Sequence, residues 1–166
     1  MTVDAGPAVW VEQIMGMPIS IHVRGESRRS DAVEAAVAQA FATLRRFDEI
    51  FSTYREDSDI NRLARGEITM SDCDPLVAEA LEIGARAGQL TGGVFTVVLP
   101  APDLTGDRTG ADGELAERIF DPTGLVKGWA AGRAAGHLAN IPGIAYCLNA
   151  GGDLVAGVGP GVPVSG

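Results

Sequence analysis

A loop leading into a helix, residues 120–129 with the sequence FDPTGLVKGW, holds the best candidate for chemistry in this chain. The first turn of a helix has free N–H groups and a partial positive charge, so a lysine there is unfavourable unless an anion binds beside it. Lys127, the only lysine in the sequence, would then face the same anion as the backbone amides. Asp121 would supply a carboxylate for a ribose hydroxyl, a base or a metal, and Gly124 would let a ligand approach the backbone.

A purely structural interpretation of the same segment stays open. Lys127 would then be exposed to solvent, and Asp121 would cap the helix. The spacing matches neither a P-loop nor a dinucleotide fingerprint. The residues alone therefore leave a choice between an anion site of unspecified class and an ordinary capped helix.

Two other segments are candidates for ligand contact, and each has an ordinary alternative. Residues 149–153, NAGGD, form either a plain hairpin turn or a turn that a ligand approaches closely. Tyr54, in the polar segment 51–54, either stacks on a flat ring or packs against its own domain. His22 and His137 have no partner at metal-ligand spacing, and we interpret both as structural or surface residues.

The composition is that of an acidic globular protein. With 22 acidic and 13 basic side chains the net charge is −9, which argues against nucleic acid as the main partner because phosphate backbones need a positive surface. Hydrophobic residues make up 46%, too many for a disordered chain, and no stretch approaches the ~18 apolar residues of a transmembrane segment. Cys73 and Cys147 match no metal spacing and are interpreted as reduced thiols.

The length of the chain predicts its number of domains, and its first residues indicate where in the cell the protein is located. A chain of 166 residues favours one domain. Residues 1–10 carry one Asp and neither Lys nor Arg, so they lack the basic region of a secretory signal. The sequence as given predicts a cytoplasmic protein, with a processed cell-envelope protein as the alternative.

Helical and strand patterns mingle without a regular βαβ alternation, which predicts an α+β fold. Strands are predicted within 8–24, as two strands or one bent strand with a bulge at its Gly and Pro, and at 94–99 and 119–120. Helices are predicted from Ser30 to about 51, around 60–63, from Pro75 to about 91, and over about 124–139 behind a Thr123 cap. Residues 100–118 are predicted to form a surface excursion, and 143–158 a hairpin that turns at Gly151-Gly152.

Five segments together resemble the ApbE family of flavin transferases, first named as thiamine-biosynthesis lipoproteins. In order they are Met15-Gly16-Met17, FSTYREDSDINRL at 51–63, TGGVFT at 91–96, DPTGLVKGWAAGRA at 121–134 and NAGGD at 149–153. Each is weak alone, but their order and spacing match across almost the whole chain. The resemblance implies an ApbE-like fold with mixed or antiparallel sheets and flanking helices, of which residues 1–166 would be the N-terminal portion.

The resemblance also implies an activity and a set of contacts. The activity is Mg²⁺-dependent transfer of FMN from FAD to a threonine hydroxyl of a partner flavoprotein, with release of AMP. The isoalloxazine ring would lie between Met15 and Tyr54, and the backbone carbonyl of Gly124 would bind magnesium. The other FAD contacts that the resemblance implies are Val94, Phe95, Thr96, Asp121 and Lys127. The catalytic aspartate of the family and the rest of its metal ligands are expected beyond Gly166.

The sequence departs from the family pattern at two motif positions. Met17 stands where the family usually has threonine, and Thr96 where it usually has aspartate, which is expected to weaken a hydrogen bond to the flavin or within the turn. The alternatives to a transferase are a non-catalytic FAD-binding module and an FAD pyrophosphatase-like activity. More distant is an interaction subunit that has lost flavin. The acceptor protein cannot be named from the sequence.

Overall fold

The computed structural model describes residues 6–100 and 118–163. Its strands are β1 (Ala8–Ile14), β2 (Met17–Arg24), β3 (Val98–Pro100), β4 (Arg118–Phe120), β5 (Ala145–Ala150) and β6 (Asp153–Val158). Its helices are α1 (Asp31–Phe51), α2 (Asp59–Ala64), α3 (Pro75–Leu90) and α4 (Thr123–Gly136), with a single 3₁₀ turn at Met70–Asp72. Helices and antiparallel sheets in this arrangement confirm the predicted α+β class.

The chain divides into two compact units. One, which we call the sheet unit, comprises Met1–Glu49 and Lys127–Gly166; the other, the helical unit, comprises Ile50–Val126. The prediction of one domain over residues 1–166 stays a prediction, because compact units of this size occur both within domains and as separate ones.

The sheet unit is built on a four-stranded antiparallel sheet with the order β1-β2-β5-β6. Alternation along β2 buries Ile19, Ile21 and Val23 on one face, as the sequence pattern predicts. Leu148 and Ala150 of β5 are the cross-strand partners of Ile21 and Ile19 and are equally buried. These side chains form the sheet's contribution to the core.

Two-residue turns close both hairpins of this sheet. Met15-Gly16 joins β1 to β2 with φ values of 54° and 71°, so residues 8–24 form two strands rather than one bent strand with a bulge. Gly151-Gly152 joins β5 to β6 with φ values of 58° and 98°, which confirms the predicted hairpin. Positive φ at both central residues gives a turn whose twist matches that of the strands.

The helices of the sheet unit lie close to their predicted ranges, but the predicted Thr123 cap is wrong: Thr123 is the first residue of α4, and its N–H and hydroxyl donate to Asp121. Ser30 caps α1, since the backbone N–H of Val33 donates to its hydroxyl at 3.4 Å. Phe47 of α1 meets Trp129 of α4 edge to face, with 4.7 Å between ring centroids. The predicted end of α4 near residue 139 is wrong: the helix stops at Gly136, because the next three N–H groups bond three residues back instead of four.

The helical unit packs α2, α3 and a short β3–β4 ribbon. Asp74 caps α3 by accepting from the N–H of Leu76 at 3.0 Å, with Pro75 in the first helical position as predicted. A small apolar core contains Ile60, Val77, Ala80 and Val97. Gly84 is buried against Val97, whose Cγ2 lies 2.2 Å from the place where a Cβ would stand.

The predicted strand over 94–99 is wrong for its first four residues, because β3 begins only at Val98. The N–H of Phe95 donates to the hydroxyl of Thr91 at 3.0 Å, so side-chain hydrogen bonds replace a strand ladder in this segment. The predicted strand at 119–120 lies within β4. Residues 101–117, which make up nearly all of the predicted surface excursion, lie outside the described residues.

Candidate functional site

Three of the sequence motifs meet at one end of the sheet unit. Because β2 and β5 run antiparallel with Ile19 opposite Ala150, the Met15-Gly16 and Gly151-Gly152 turns lie at the same end of the sheet. Lys127 of α4 reaches this end as well. Its Nζ lies 3.2 Å from Oδ2 of Asp153, the first residue of β6.

The Gly151-Gly152 turn is fixed by two contacts beyond its backbone conformation. The side-chain oxygen of Asn149 accepts from the N–H of Gly152 at 3.0 Å. The Sδ of Met17 lies only 2.5 Å from the place where a Cβ on Gly151 would stand, so no larger residue fits there without displacing that side chain. Met17, at the position where the resemblance expects threonine, thus packs directly on the NAGGD turn.

Lys127 is half-exposed and makes an ion pair with Asp153. Its side chain is 39% exposed and that of Asp153 is 47% exposed, so both charges are partly withdrawn from water. Their ion pair places one fixed ammonium group at the end of the sheet where both turns lie. A lysine ammonium has three donors, so the one facing Asp153 leaves others for a further acceptor.

Asp121 and Gly124 lie at the start of α4. One carboxylate oxygen of Asp121 accepts from the N–H of Thr123 at 3.0 Å and from its hydroxyl at 2.6 Å, which is the capping role that the structural interpretation gives it. The N–H of Asp121 donates to the carbonyl of Val97 at 2.8 Å. Gly124 is exposed, and a Cβ on it would lie 3.5 Å from the ring of Phe95, so the structure brings these two predicted site residues together.

The segment 94–96 is a surface turn with Val94 89% exposed. The hydroxyl of Thr96 accepts from the N–H of Val98 and donates to its carbonyl, both at 3.1 Å. A short oxygen-bearing side chain at this position closes the same kind of turn that an aspartate would close. The turn hydrogen bond expected to weaken with threonine is therefore present.

Tyr54 is 97% exposed, so the interpretation that it packs against its own domain is wrong. Its loop is nevertheless ordered by Asn61 in the first turn of α2. The two N–H groups of the Asn61 amide are shared among three carbonyls, those of Ser52 at 3.2 Å, Thr53 at 3.1 Å and Arg55 at 2.7 Å from the nitrogen. The sequence analysis missed Asn61; the available signal was an asparagine, a poor helix former, inside a short helix that directly follows the aromatic loop.

Replacing Asn61 by alanine is expected to lower the free energy of unfolding by about 1–2 kcal/mol, because three loop carbonyls lose their donor. The change would also make the 52–57 loop more sensitive to limited proteolysis. Gln89→Ala, at an exposed position near the end of α3, is the matched control and should leave both measurements unchanged. Equal melting temperatures and cleavage rates for Asn61→Ala and the wild type would contradict the prediction.

Asp57 and Cys73 are two of the titratable groups in the helical unit whose pKa values are shifted. The Arg55 guanidinium donates to the Asp57 carboxylate at 3.2 Å, and this hydrogen bond and the arginine charge lower the pKa of Asp57. Burial, and next the nearby Asp59 carboxylate, raises the pKa of the Cys73 thiol. Cys73 is thus protonated near neutral pH and a weak nucleophile, in keeping with the reduced structural thiol predicted for it.

The described residues offer little to a metal ion. Within 6–100 and 118–163, no group of three or more His, Cys, Asp and Glu side chains could hold one. His22 pairs with the hydroxyl of Ser20 at 3.0 Å and His137 with that of Thr43 at 2.9 Å, which agrees with a structural role for both. In the same part of the chain, none of the helices has the length and apolarity needed to cross a membrane.

Comparison with known proteins adds a family and a fold. A family model described as the ApbE family matches residues 15–115, more than half of the chain. No curated protein matches the sequence. Among solved structures, the apo form of the Pseudomonas stutzeri flavinyl transferase ApbE is similar with a TM-score of 0.67 and 18% identity, over 94% of this chain and 62% of that one.

Two structures of the Vibrio cholerae flavin transferase ApbE are similar as well. A mutant form gives a TM-score of 0.65 and 19% identity over 96% of this chain and 66% of that one. A second gives a TM-score of 0.62 and 18% identity over 89% of this chain and 58% of that one. The present chain therefore shares the fold of these proteins and spans about three fifths of their length.

Proposed function

This chain belongs to the ApbE family, and on that premise we propose that it acts as an FAD:protein FMN transferase. The proposed reaction is Mg²⁺-dependent transfer of FMN from FAD to a threonine hydroxyl of an acceptor flavoprotein, with release of AMP. The observation that carries the proposal is the position of Lys127, the only lysine of the chain, at the end of the sheet that also holds the Met15-Gly16 and Gly151-Gly152 turns. A fixed cation beside glycine turns is suited to a phosphorylated ligand.

The chemistry assigns Lys127 a defined task. The threonine oxygen forms a bond to the phosphorus of the FMN half, the bond from that phosphorus to the AMP oxygen breaks, and the hydroxyl proton passes to a base. Negative charge increases on the pyrophosphate oxygens as AMP leaves, and the Lys127 ammonium would neutralise part of it. We assign no described residue as the base.

We propose that the flavin ring contacts Met15 of the first motif and Tyr54 of the second. Tyr54 presents a ring that is almost wholly exposed, as stacking on an isoalloxazine requires. Met15, in the β1–β2 turn, has the polarisable thioether that packs well against aromatic rings. Val94, Phe95, Thr96 and Asp121 are proposed as further FAD contacts by resemblance alone.

The proposal of magnesium dependence is supported by the family resemblance alone. The described residues do not build a cation site: Gly124 supplies one backbone carbonyl, and Asp121 already bonds Thr123. When bound, Mg²⁺ would neutralise phosphate charge and orient the leaving group. We therefore propose magnesium dependence from the family resemblance and derive no step through it.

The decisive experiment is incubation of the protein with FAD, Mg²⁺ and a threonine-bearing acceptor, followed by intact-mass analysis. An acceptor heavier by one FMN, with equimolar AMP, is the expected result. FAD binding without adduct or AMP would establish instead the non-catalytic FAD-binding module, the second candidate. AMP and free FMN without adduct would indicate a pyrophosphatase.

Replacing Tyr54 by alanine is expected to weaken FAD binding by roughly fivefold, because aromatic stacking contributes about 1 kcal/mol. Stability should not change, since the side chain is 97% exposed. Titration of flavin fluorescence measures the affinity, and Tyr54→Phe, which keeps the ring, is the control expected to bind like the wild type. Equal FAD affinity for Tyr54→Ala and Tyr54→Phe would contradict the stacking role.

A further inference from the structure

The ion pair between Lys127 and Asp153 has a consequence for how the lysine meets a phosphate. A free lysine side chain samples many rotamers, and binding an anion must freeze one of them. Here the Nζ is already held 3.2 Å from Oδ2 of Asp153. We propose that Asp153 is a positioning residue, which holds Lys127 in place for the phosphates of the ligand; this rests on the proposed function.

The position of Asp153 is itself determined by its surroundings. It is the first residue of β6 and the cross-strand partner of Ala150, which is fully buried. The preceding turn is held by the Asn149 hydrogen bond to Gly152 at 3.0 Å and by the Met17 side chain on Gly151. The carboxylate stands on a short side chain that follows a hydrogen-bonded turn, whereas the lysine side chain is long and flexible. In such a pair the carboxylate positions the ammonium.

Asp153 does not have to release the lysine for a phosphate to bind. The ammonium has three donors, and one carboxylate contact leaves two. Repulsion between the carboxylate and the phosphates opposes binding, but both groups of the pair are about 40–50% exposed, so water and salt screen that repulsion. We therefore expect the holding of Lys127 in place to outweigh the repulsion between Asp153 and the phosphates. Removal of the Asp153 carboxylate should then weaken FAD binding.

The binding test compares FAD affinity in four proteins: wild type, Asp153→Asn, Lys127→Ala and the double variant. We expect Asp153→Asn to weaken FAD binding about two- to tenfold while leaving riboflavin, which has no phosphate, unchanged. In the Lys127→Ala background the same change should cause no further weakening. Asp153→Glu should restore part of the affinity, and Asp31→Asn, in the first turn of α1, is the charge-matched control.

A second measurement does not depend on FAD. Because Lys127 is the only lysine, acetylation of an ε-amino group by an N-hydroxysuccinimide ester reports that residue alone, and peptide mass analysis separates it from the chain terminus. The amine must leave the carboxylate before it attacks the reagent, so Asp153→Asn should be acetylated about two- to fivefold faster. Bound FAD should protect Lys127 in the wild type.

The outcomes separate the two proposals. Wild-type or tighter FAD affinity in Asp153→Asn, together with a weakened Lys127→Ala, overturns the positioning role and leaves the proposed function intact. Equal acetylation rates in the wild type and Asp153→Asn overturn it independently of FAD. A wild type that binds no FAD overturns the proposed function, and with it the assignment of the held lysine to phosphate.

Discussion

Replacing Lys127 by alanine is expected to weaken FAD binding by about ten- to a hundredfold, the largest functional effect of any single change in this chain. A hydrogen bond between an ammonium and a phosphate contributes about 1.5–3 kcal/mol, and each 1.4 kcal/mol is a factor of ten in affinity. Titration of flavin fluorescence with FAD and with riboflavin measures the affinity.

Comparison of FAD with riboflavin shows which part of the ligand Lys127 contacts. Riboflavin carries no phosphate, so its affinity should be the same in Lys127→Ala and the wild type. Arg28→Ala removes an equal charge at the far end of the sheet, where Arg28 donates to the carbonyl of Gly25 just after β2, and should bind FAD normally. Parallel losses for FAD and riboflavin would show that Lys127 supports the fold and not the phosphate.

Among the proposed substitutions, Gly159→Ala is expected to lower the free energy of unfolding the most. Gly159 is buried after β6, and a Cβ on it would lie 1.7 Å from the carbonyl oxygen of Ile141 and 2.8 Å from its carbonyl carbon. Both are backbone atoms, so no rotamer change relieves the clash. Separation of the two segments would also stretch the 2.8 Å hydrogen bond from the N–H of Gly159 to the carbonyl of Ile144.

We expect Gly159→Ala to lower the free energy of unfolding by about 3 kcal/mol, or the melting temperature by about 6–12 °C. Gly132→Ala is the matched control. Gly132 is exposed in the middle of α4, and a Cβ there would meet nothing within 4 Å. The same substitution should stabilise the protein at that position by about 0.5–1 kcal/mol, since alanine is the better helix former. Equal melting temperatures for the two variants would contradict the steric argument.

The elements that the sequence predicted correctly are those with a strong local signal. Ser30 and Asp74 cap α1 and α3 because a short oxygen-bearing side chain satisfies free N–H groups within its own turn. The Gly151-Gly152 turn follows equally from local preference, since glycine adopts positive φ without steric cost. In each case the interacting groups are two or three residues apart.

The incorrect predictions arose where apolar pattern and hydrogen bonding disagree. The residues 94–99 look like a strand because they are apolar, yet the hydroxyls of Thr91 and Thr96 bind backbone groups and turn the chain before β3 begins. Of the two alternatives for residues 8–24, the structure has two strands, joined by a complete two-residue turn at Met15-Gly16, and not one bent strand with a bulge. The periodicity of apolar residues does not show which acceptors the backbone N–H groups bind.

The sequence by itself determined the fold class, the Ser30 and Asp74 caps, the Gly151-Gly152 turn, and the candidate residues Tyr54 and Lys127, because each depends on residue type and near neighbours. Only the tertiary structure decided what those residues contact. Lys127 meets Asp153 because the sheet register places the NAGGD turn beside α4, across 26 positions of sequence. Asn61 holds the Tyr54 loop through backbone carbonyls, and the residue types of the loop do not identify those acceptors. Contacts of these kinds depend on how the chain folds back on itself, and residue spacing does not encode that.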